Sequence, residues 1–510
     1  MSNGVPYRQE ETEQSEMGRT FAYVILGGGV AAGYAALELV RHRASPGELC
    51  IISDEAVAPY ERPALSKGYL LPRGAARLPA FHTCVGANDE LLTEQWYKDH
   101  GIELVLATRV ISADVRQKTL LIDSGETISY KTLIVATGAR ALKLEEFGVA
   151  GSDVANVCYL RSLEDADKMV RVMRSCHGGN AVVIGGGYIG MECAAALVAN
   201  EIKVAMVFPG KHCMGRFFTP EIAEFYENFY AAKGITLIKG TKVTSLEASD
   251  GKVSAAILRD GRRIPADMVV VGIGARANTG LFDGQLAMER GGIKVNGRMQ
   301  TSDPAVYAVG DVAAFPVALL GGEVRRFEHV DCARRTARRA VGAILEPADG
   351  AAEEGKDFAY LPFFYSRVFE LSWQFYGDNV GEAVHFGEFS PPLDAGGTRP
   401  KFGACWVNGG LVAGVFIEGG SREENEAVAS AVRCGARIGD VAAELESRGL
   451  AFADQESRRK WTCRRNGLAS GADKPTYAWH ATVGVAAAVT IAAFACWFGW
   501  MAPYVVKREF

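Results

Sequence analysis

Val182-Val183-Ile184-Gly185-Gly186-Gly187-Tyr188-Ile189-Gly190 is a short apolar run closed by glycines at the spacing Gly185-x-Gly187-x-x-Gly190. The apolar run reads as a buried parallel strand, and the Ala-rich stretch 189–199 as the helix after it. In that setting the first glycine permits a tight turn, and the second lets a pyrophosphate approach the backbone. The third lets helix pack on strand, and the helix N-terminus favours the anion. An earlier copy exists: Val24-Ile25-Leu26-Gly27-Gly28-Gly29, then a helical stretch 31–41, with Ala32 at the third position. Each unit runs on into a second strand, 49–53 and 204–208. Two such β-α-β units predict two dinucleotide sites. A pair of tight strand-to-helix turns in an unrelated α/β protein is the alternative.

The acid expected after the second strand separates the units. Asp54-Glu55 follow the first, where a carboxylate can accept from ribose hydroxyls. In the second the stretch is Phe208-Pro209-Gly210-Lys211, with no acid. That removes repulsion against a 2′-phosphate, and Lys211 can attract it, so NADPH stands beside NADH. Alternatively, Lys211 is a solvated surface charge.

Further apolar runs meet glycines at 132–138, 268–272 and 306–311. Aromatic-rich 360–376 and glycine-punctuated 401–417 predict antiparallel sheet, and 421–445 one or two helices. The chain has 510 residues, room for three or four domains at ~150 each. Hydrophobic residues make up 48% and charged residues 23%, which excludes general disorder. Lys and Arg total 55 against 60 Asp and Glu, a net charge of −5, so nothing marks a nucleic-acid binder. The 11 cysteines contain no Cys-x-x-Cys pair. That argues against a disulfide scaffold, a zinc ribbon and a dithiol redox centre, and no metal is expected.

Residues 477–506 contain no Asp, Glu, Lys or Arg. As a helix, 481–500 alone spans about 30 Å, enough for a bilayer core. Tyr477 and Trp479 lie at one end and Trp497, Trp500 and Tyr504 at the other, as in aromatic belts. Residues 1–17 are polar and acidic, without the apolar run of a signal peptide. A body held by a single C-terminal transmembrane helix is expected.

Two glycine fingerprints, with Ala136-Thr137-Gly138 between them and Val309-Gly310-Asp311 after them, resemble the two-dinucleotide flavoprotein reductases. The closer likeness is to the plant monodehydroascorbate reductases. It covers roughly 21–450 and rests on Ala58-Pro59-Tyr60-Glu61-Arg62-Pro63-Ala64-Leu65-Ser66-Lys67, Phe327-Glu328-His329-Val330-Asp331 and Leu371-Ser372-Trp373-Gln374-Phe375-Tyr376-Gly377. The tail is similar to that of the longer, membrane-bound form associated with peroxisomes. An endoplasmic-reticulum address is the alternative.

The resemblance implies an α/β fold with two Rossmann-like domains and a smaller α+β interface domain. A polar tail (1–20) precedes an FAD domain in two parts (21–150 and 275–346) that flank an NAD(P)H domain (151–274). The interface domain (347–454), a linker (455–476), the transmembrane anchor (477–506) and a basic tail (507–510) follow. FAD is implied at Gly27, Gly28, Gly29, Val30, Ala31, Glu55, Arg62, Lys67, Arg161, Asp311 and Val330. NADH or NADPH is implied at Gly185, Gly186, Gly187, Tyr188, Ile189, Gly190, Glu192, Gly210, Arg216 and Gly274. Gly210 stands where the family has a glutamate that holds the adenosine ribose, and Cys332 where it often has His. Glu328 and His329 fall where flavin and nicotinamide meet. Arg334 and Tyr365 match residues that grip the substrate, so these four are the candidate catalytic residues. The implied reaction passes a hydride from NAD(P)H to FAD, and single electrons to two monodehydroascorbate radicals, giving ascorbate. Rivals are a ferredoxin- or rubredoxin-type reductase, a membrane quinone reductase, and a membrane-tethered flavin-containing signalling protein like apoptosis-inducing factor.

Overall fold

The computed structural model describes residues 18–42, 44–72, 90–346, 358–389 and 399–437. The expected anchor 477–506, the linker before it and the N-terminal tail 1–17 lie outside the described residues. Among the described residues no helix is long and apolar enough to cross a membrane.

The first glycine fingerprint sits where expected. The strand Thr20–Leu26 runs parallel to Leu49–Ile52 on one side and to Thr127–Val135 on the other. Glu103–Val105 extends the sheet beyond Leu49–Ile52. Val306–Ala308 pairs parallel with Thr127–Val135, so a distant segment completes the sheet. That strand was expected to reach 311. It stops at Ala308 because Gly310 turns with φ +70° into the short 3-10 helix Gly310–Val312. A Cβ on Gly310 would lie 3.2 Å from the Ala31 Cβ, and 3.6 Å from that of Ala333. This close approach lets the helices Val30–Arg41 and Val330–Leu345 pack on each other. The second of these buries Val330, Ala333, Ala337, Ala340 and Val341 on one stripe, at the spacing of an amphipathic helix.

The second fingerprint lies in a separate, wholly parallel sheet. Its order is Thr236–Lys239, Lys203–Phe208, Asn180–Ile184, Met268–Val271 and Val157–Tyr159. A hairpin sheet of Val243–Ser249, Lys252–Leu258 and Arg263–Pro265, which the sequence reading missed, packs beside it. The two chain crossings between these bodies pair with each other, Ala139–Ala141 against Ala275–Ala277.

The aromatic-rich stretches form an antiparallel sheet of five strands, in the order Phe363–Val368, Leu371–Gly377, Leu411–Glu418, Phe402–Asn408 and Glu382–Gly387. Leu371, Trp373 and Phe375 alternate inward, the period-2 signature of a half-buried strand. One face meets the helix Pro220–Ala232, with the Phe225 and Phe402 rings 4.4 Å apart. The other face is covered by the helix Arg422–Cys434 through Val428 and Val432.

Candidate active site

A cavity of about 1000 Å³ opens where the three bodies meet. Gly27, Gly28, Gly29, Val30 and Ala31 line it from the first fingerprint, and Tyr188, Ile189 and Glu192 from the second. Glu55, Arg62, Lys67, Arg161, Asp311, Glu328, His329, Val330 and Tyr365 complete the expected set on its wall. Gly185, Gly186, Gly187, Gly190, Gly274, Gly210, Arg216 and Arg334 do not line it. Gly210 lines a smaller cavity beyond the end of Lys203–Phe208, and Arg216 is exposed.

The turns have the shape the spacing demands. Gly27 has φ +131°, and a Cβ there would come within 2.2 Å of the Ala136 oxygen. Gly185 repeats this with φ +123° and 2.2 Å to the Gly272 oxygen. Only glycine fits either place. The helices that follow, Val30–Arg41 and Tyr188–Ala199, carry no side-chain cap and no acid in the first turn. By contrast, Ser162, Thr219 and Ser421 cap their helices with hydroxyl oxygens. An uncapped N-terminus facing a cavity offers its N–H groups to an anion. Cavity volume, glycine cradle and uncapped helix together fit a dinucleotide of FAD size.

The charges on the wall are paired, two of the pairs across domains. Glu55 accepts from Arg62 and from the Tyr60 hydroxyl (2.6 Å). Arg161 pairs with Asp311 at 2.9 Å, joining the linker before Leu163–Ser175 to the late motif. Lys67 donates to Glu192 at 2.9 Å. Glu192, whose side chain is 1% exposed, also accepts from Ser66 and Ser366. So one carboxylate on the second fingerprint helix ties the first body to the antiparallel sheet. The Tyr188 hydroxyl reaches the Glu328 oxygen at 3.4 Å, while the Glu328 carboxylate holds Arg326 at 2.6 Å.

Arg334 is not on the wall, but its charge is felt by Tyr365, which is. Its Nη2 is 2.6 Å from Glu61 Oε1, with side chains only 13% and 15% exposed. Burial works against the charge of Arg334, but Glu61, Tyr34 and Tyr365 together outweigh this, and its pKa is raised. Its Nε has no hydrogen-bond partner, a donor left over in a desolvated place. Burial, then the Lys67 charge, push the His329 imidazole down to about 3, so it is neutral. Asp331 N–H approaches its Nδ1 at 3.5 Å and Tyr365 N–H its Nε2 at 3.4 Å. A neutral ring accepts through one nitrogen at a time. The His329 and Tyr365 rings meet edge-on at 5.1 Å. Burial raises the Tyr365 hydroxyl pKa, against the lowering effect of Lys67 and Arg334.

Glu61 is the residue the sequence reading passed over, although it lies inside the quoted Tyr60-Glu61-Arg62-Pro63. The available signal was arithmetic: an arginine called on to sit in a partly buried site needs a carboxylate. Asn278 was missed too, and Thr137, quoted within Ala136-Thr137-Gly138, was given no role of its own. Thr137 Oγ1 donates to the Asn278 oxygen at 2.8 Å and Asn278 Nδ2 to the Thr137 oxygen at 2.9 Å, locking the two crossings at the cavity wall. Among the described residues no cysteine lines the cavity.

Residues 21–337 match the family of pyridine nucleotide-disulphide oxidoreductases, and 361–453 match the C-terminal domain of monodehydroascorbate reductase 3-like proteins. A peroxisomal monodehydroascorbate reductase 1 from Oryza sativa subsp. japonica is 73% identical, covering 97% of this chain and 100% of its own length. Monodehydroascorbate reductase from Pisum sativum is 50% identical over 86% of this chain and all of its own length. Among solved structures, putidaredoxin reductase in covalent complex with putidaredoxin is 27% identical, with TM-score 0.72, covering 86% of this chain and 99% of that one. A ferredoxin reductase from Rhodopseudomonas palustris is 30% identical, with TM-score 0.67, covering 78% and 91%. The fold is thus shared with reductases of small redox proteins, but high identity over whole chains and the C-terminal domain point one way. This chain belongs to the monodehydroascorbate reductases, FAD- and NAD(P)H-dependent oxidoreductases of the pyridine nucleotide-disulphide oxidoreductase family.

Proposed function

We propose that the ascorbate radical anion is bound at Tyr365 and Arg334, beside His329, and that the reaction runs in the cavity where the three bodies meet. The observation that carries this is the buried Arg334–Glu61 pair, whose cation also acts electrostatically on the Tyr365 hydroxyl at the cavity wall. It is a permanent cation with a spare donor, at the place where an anionic acceptor has to dock.

Bound flavin supplies the step between two-electron and one-electron chemistry. The chain supplies position and charge. The turn at Gly27 and the uncapped helix behind it bind the FAD pyrophosphate. Glu55, held by Arg62 and Tyr60, takes ribose hydroxyls, and Asp311, held by Arg161, fixes the far end of the same group. Lys67 is kept aimed by Glu192, which belongs to the nicotinamide side, so the same ion pair orders both cofactor sites. Tyr188 and Glu328 close the boundary between them and exclude water. His329, neutral, adds shape without repelling a pyridinium. Arg334 neutralises the substrate charge, and Tyr365 contributes a protonated hydroxyl as donor.

Arg334→Ala tests this. The KM for the radical rises about 100-fold, the scale of a lost charge-assisted hydrogen bond of ~3 kcal/mol. Bleaching of the flavin by NAD(P)H in stopped flow keeps its rate. A variant purified without flavin would instead place Arg334 in the cofactor site.

A ferredoxin-type reductase would need a basic face for an acidic protein partner, and Arg334, Arg335, Arg338 and Arg339 are the run of sequence that could supply it. In the structure Arg335 is paired with Asp331 and Arg339 with Glu346, and Arg334 is buried rather than presented on the surface. An acidic protein partner gains little from charges already paired. For location we propose the peroxisomal membrane, through the helix expected at 477–506. The peroxisomal names of the relatives and the uncharged segment support it.

A further inference from the structure

We infer that the loop 209–216 is a binding site for a ribose 2′-phosphate, so that this chain takes NADPH in preference to NADH. The inference rests on the reading that a pyridine nucleotide occupies the second glycine turn. The loop is fastened to that turn. Gly185 N donates to the Val207 oxygen at 2.9 Å, and Met214 N to the Gly186 oxygen at 2.7 Å. A Cβ on Gly186 would lie 2.7 Å from Cγ of Phe208, the last residue of its strand. The residues after Phe208 are therefore those that meet the adenosine ribose in a Rossmann unit.

There a carboxylate selects the unphosphorylated ribose, by accepting its hydroxyls and repelling a phosphate. This loop offers Pro209, Gly210, Lys211 and His212 instead, with no acid. Lys211 and Arg216 are exposed, and neither has a carboxylate partner among the described residues. Gly210, Lys211, His212, Gly215, Phe218 and Pro220 line a cavity of about 450 Å³. Both ring nitrogens of His212 are buried without a hydrogen bond. Two carboxylates come near from the helix Pro220–Ala232. Glu227 is 6% exposed and already engaged: it accepts from Cys213 N at 2.8 Å and Lys239 Nζ at 2.6 Å, and its Oε1 lies 3.5 Å from His212 Nδ1. Glu221 is exposed and has His385 Nε2 at 3.4 Å. Glu227 is thus matched by Lys239, while Glu221 faces His385. Lys211 lines that cavity and Arg216 stands in the same loop, each without a carboxylate partner among the described residues, and a phosphate dianion is a chemical partner for such cations.

The test is calorimetric titration of the holoenzyme with adenosine 2′,5′-bisphosphate and, separately, with 5′-AMP. The bisphosphate is expected to bind at least about tenfold tighter, as a charge-assisted contact to the added phosphate supplies, with the advantage shrinking as salt rises. Lys211→Glu, an exposed change that leaves the core untouched, is expected to cut the ratio about tenfold or more. Equal or tighter binding of 5′-AMP by the wild type, or an unchanged ratio in Lys211→Glu, overturns the inference. Flavin bleaching separates this from the parent reading. Bleaching by NADH but not NADPH defeats the 2′-phosphate site alone, whereas bleaching by neither defeats both.

Discussion

Glu61 holds Arg334 through one oxygen and takes a contact from the Tyr34 hydroxyl at 3.2 Å on the same atom. Any anion that approaches Arg334 competes with that carboxylate. With the radical docked at Arg334 as proposed, Glu61 is expected to act as a brake on substrate affinity as well as a support for the buried charge. Glu61→Gln is expected to lower the KM for the radical about fivefold, since a neutral amide competes less for the guanidinium. The Tm drops at the same time, because a buried cation loses its counter-charge. Steady-state kinetics and a thermal melt check both, and an unchanged KM would show that Glu61 does not face the docking place.

At the scale of elements, the antiparallel sheet is bolted to the nicotinamide body by Glu418 at the end of Leu411–Glu418. It accepts from the Tyr226 hydroxyl and from Ser372 N (2.8 Å). Burial pushes its carboxyl from 4.5 up to about 7. The folded value lies above the unfolded one. Its contribution is therefore full below about pH 4.5 and is lost as pH rises through about 7. Glu418→Gln, a neutral mimic of the protonated acid, should remove that loss. Melts on either side of about pH 7 should show the wild type losing Tm relative to Glu418→Gln as pH rises. Parallel curves would mean that Glu418 titrates as an ordinary carboxylate. The helices divide in the same functional way. Ser162 closes Leu163–Ser175 with a capping box through Asp165, whereas the two fingerprint helices are left open, where a stabilising cap would occupy the anion's place.

For the whole molecule, the described residues form a body whose cavity faces are joined by cross-domain ion pairs, and 477–506 is the uncharged segment beyond it. A chain ending at residue 454 is expected to stay in the soluble fraction and remain yellow. The full chain is expected to sediment with membranes and resist carbonate extraction. Recovery of both in the soluble fraction would remove the anchor from the account. A fluorescent fusion of 455–510 that lights peroxisomes, and not the endoplasmic reticulum, checks the address.

The local sequence determined both fingerprint turns, because tight turns and close approach leave glycine as the one choice at Gly27 and Gly185. It also determined the alternating strand at Leu371–Gly377, where period-2 burial is written in side-chain identity. Strand ends were less legible: Val306–Ala308 stops where Gly310 fits between Ala31 and Ala333, a contact made by residues far apart in the chain. The hairpin sheet 243–265 gave no clear periodic signal and was missed. Pairing of charges was decided only by the tertiary structure. Arg334 with Glu61, Arg161 with Asp311 and Lys67 with Glu192 are separated by 273, 150 and 125 residues. Composition says which charges exist, but which of them lose water together depends on three bodies closing around one cavity, and desolvation is what gives those pairs their strength.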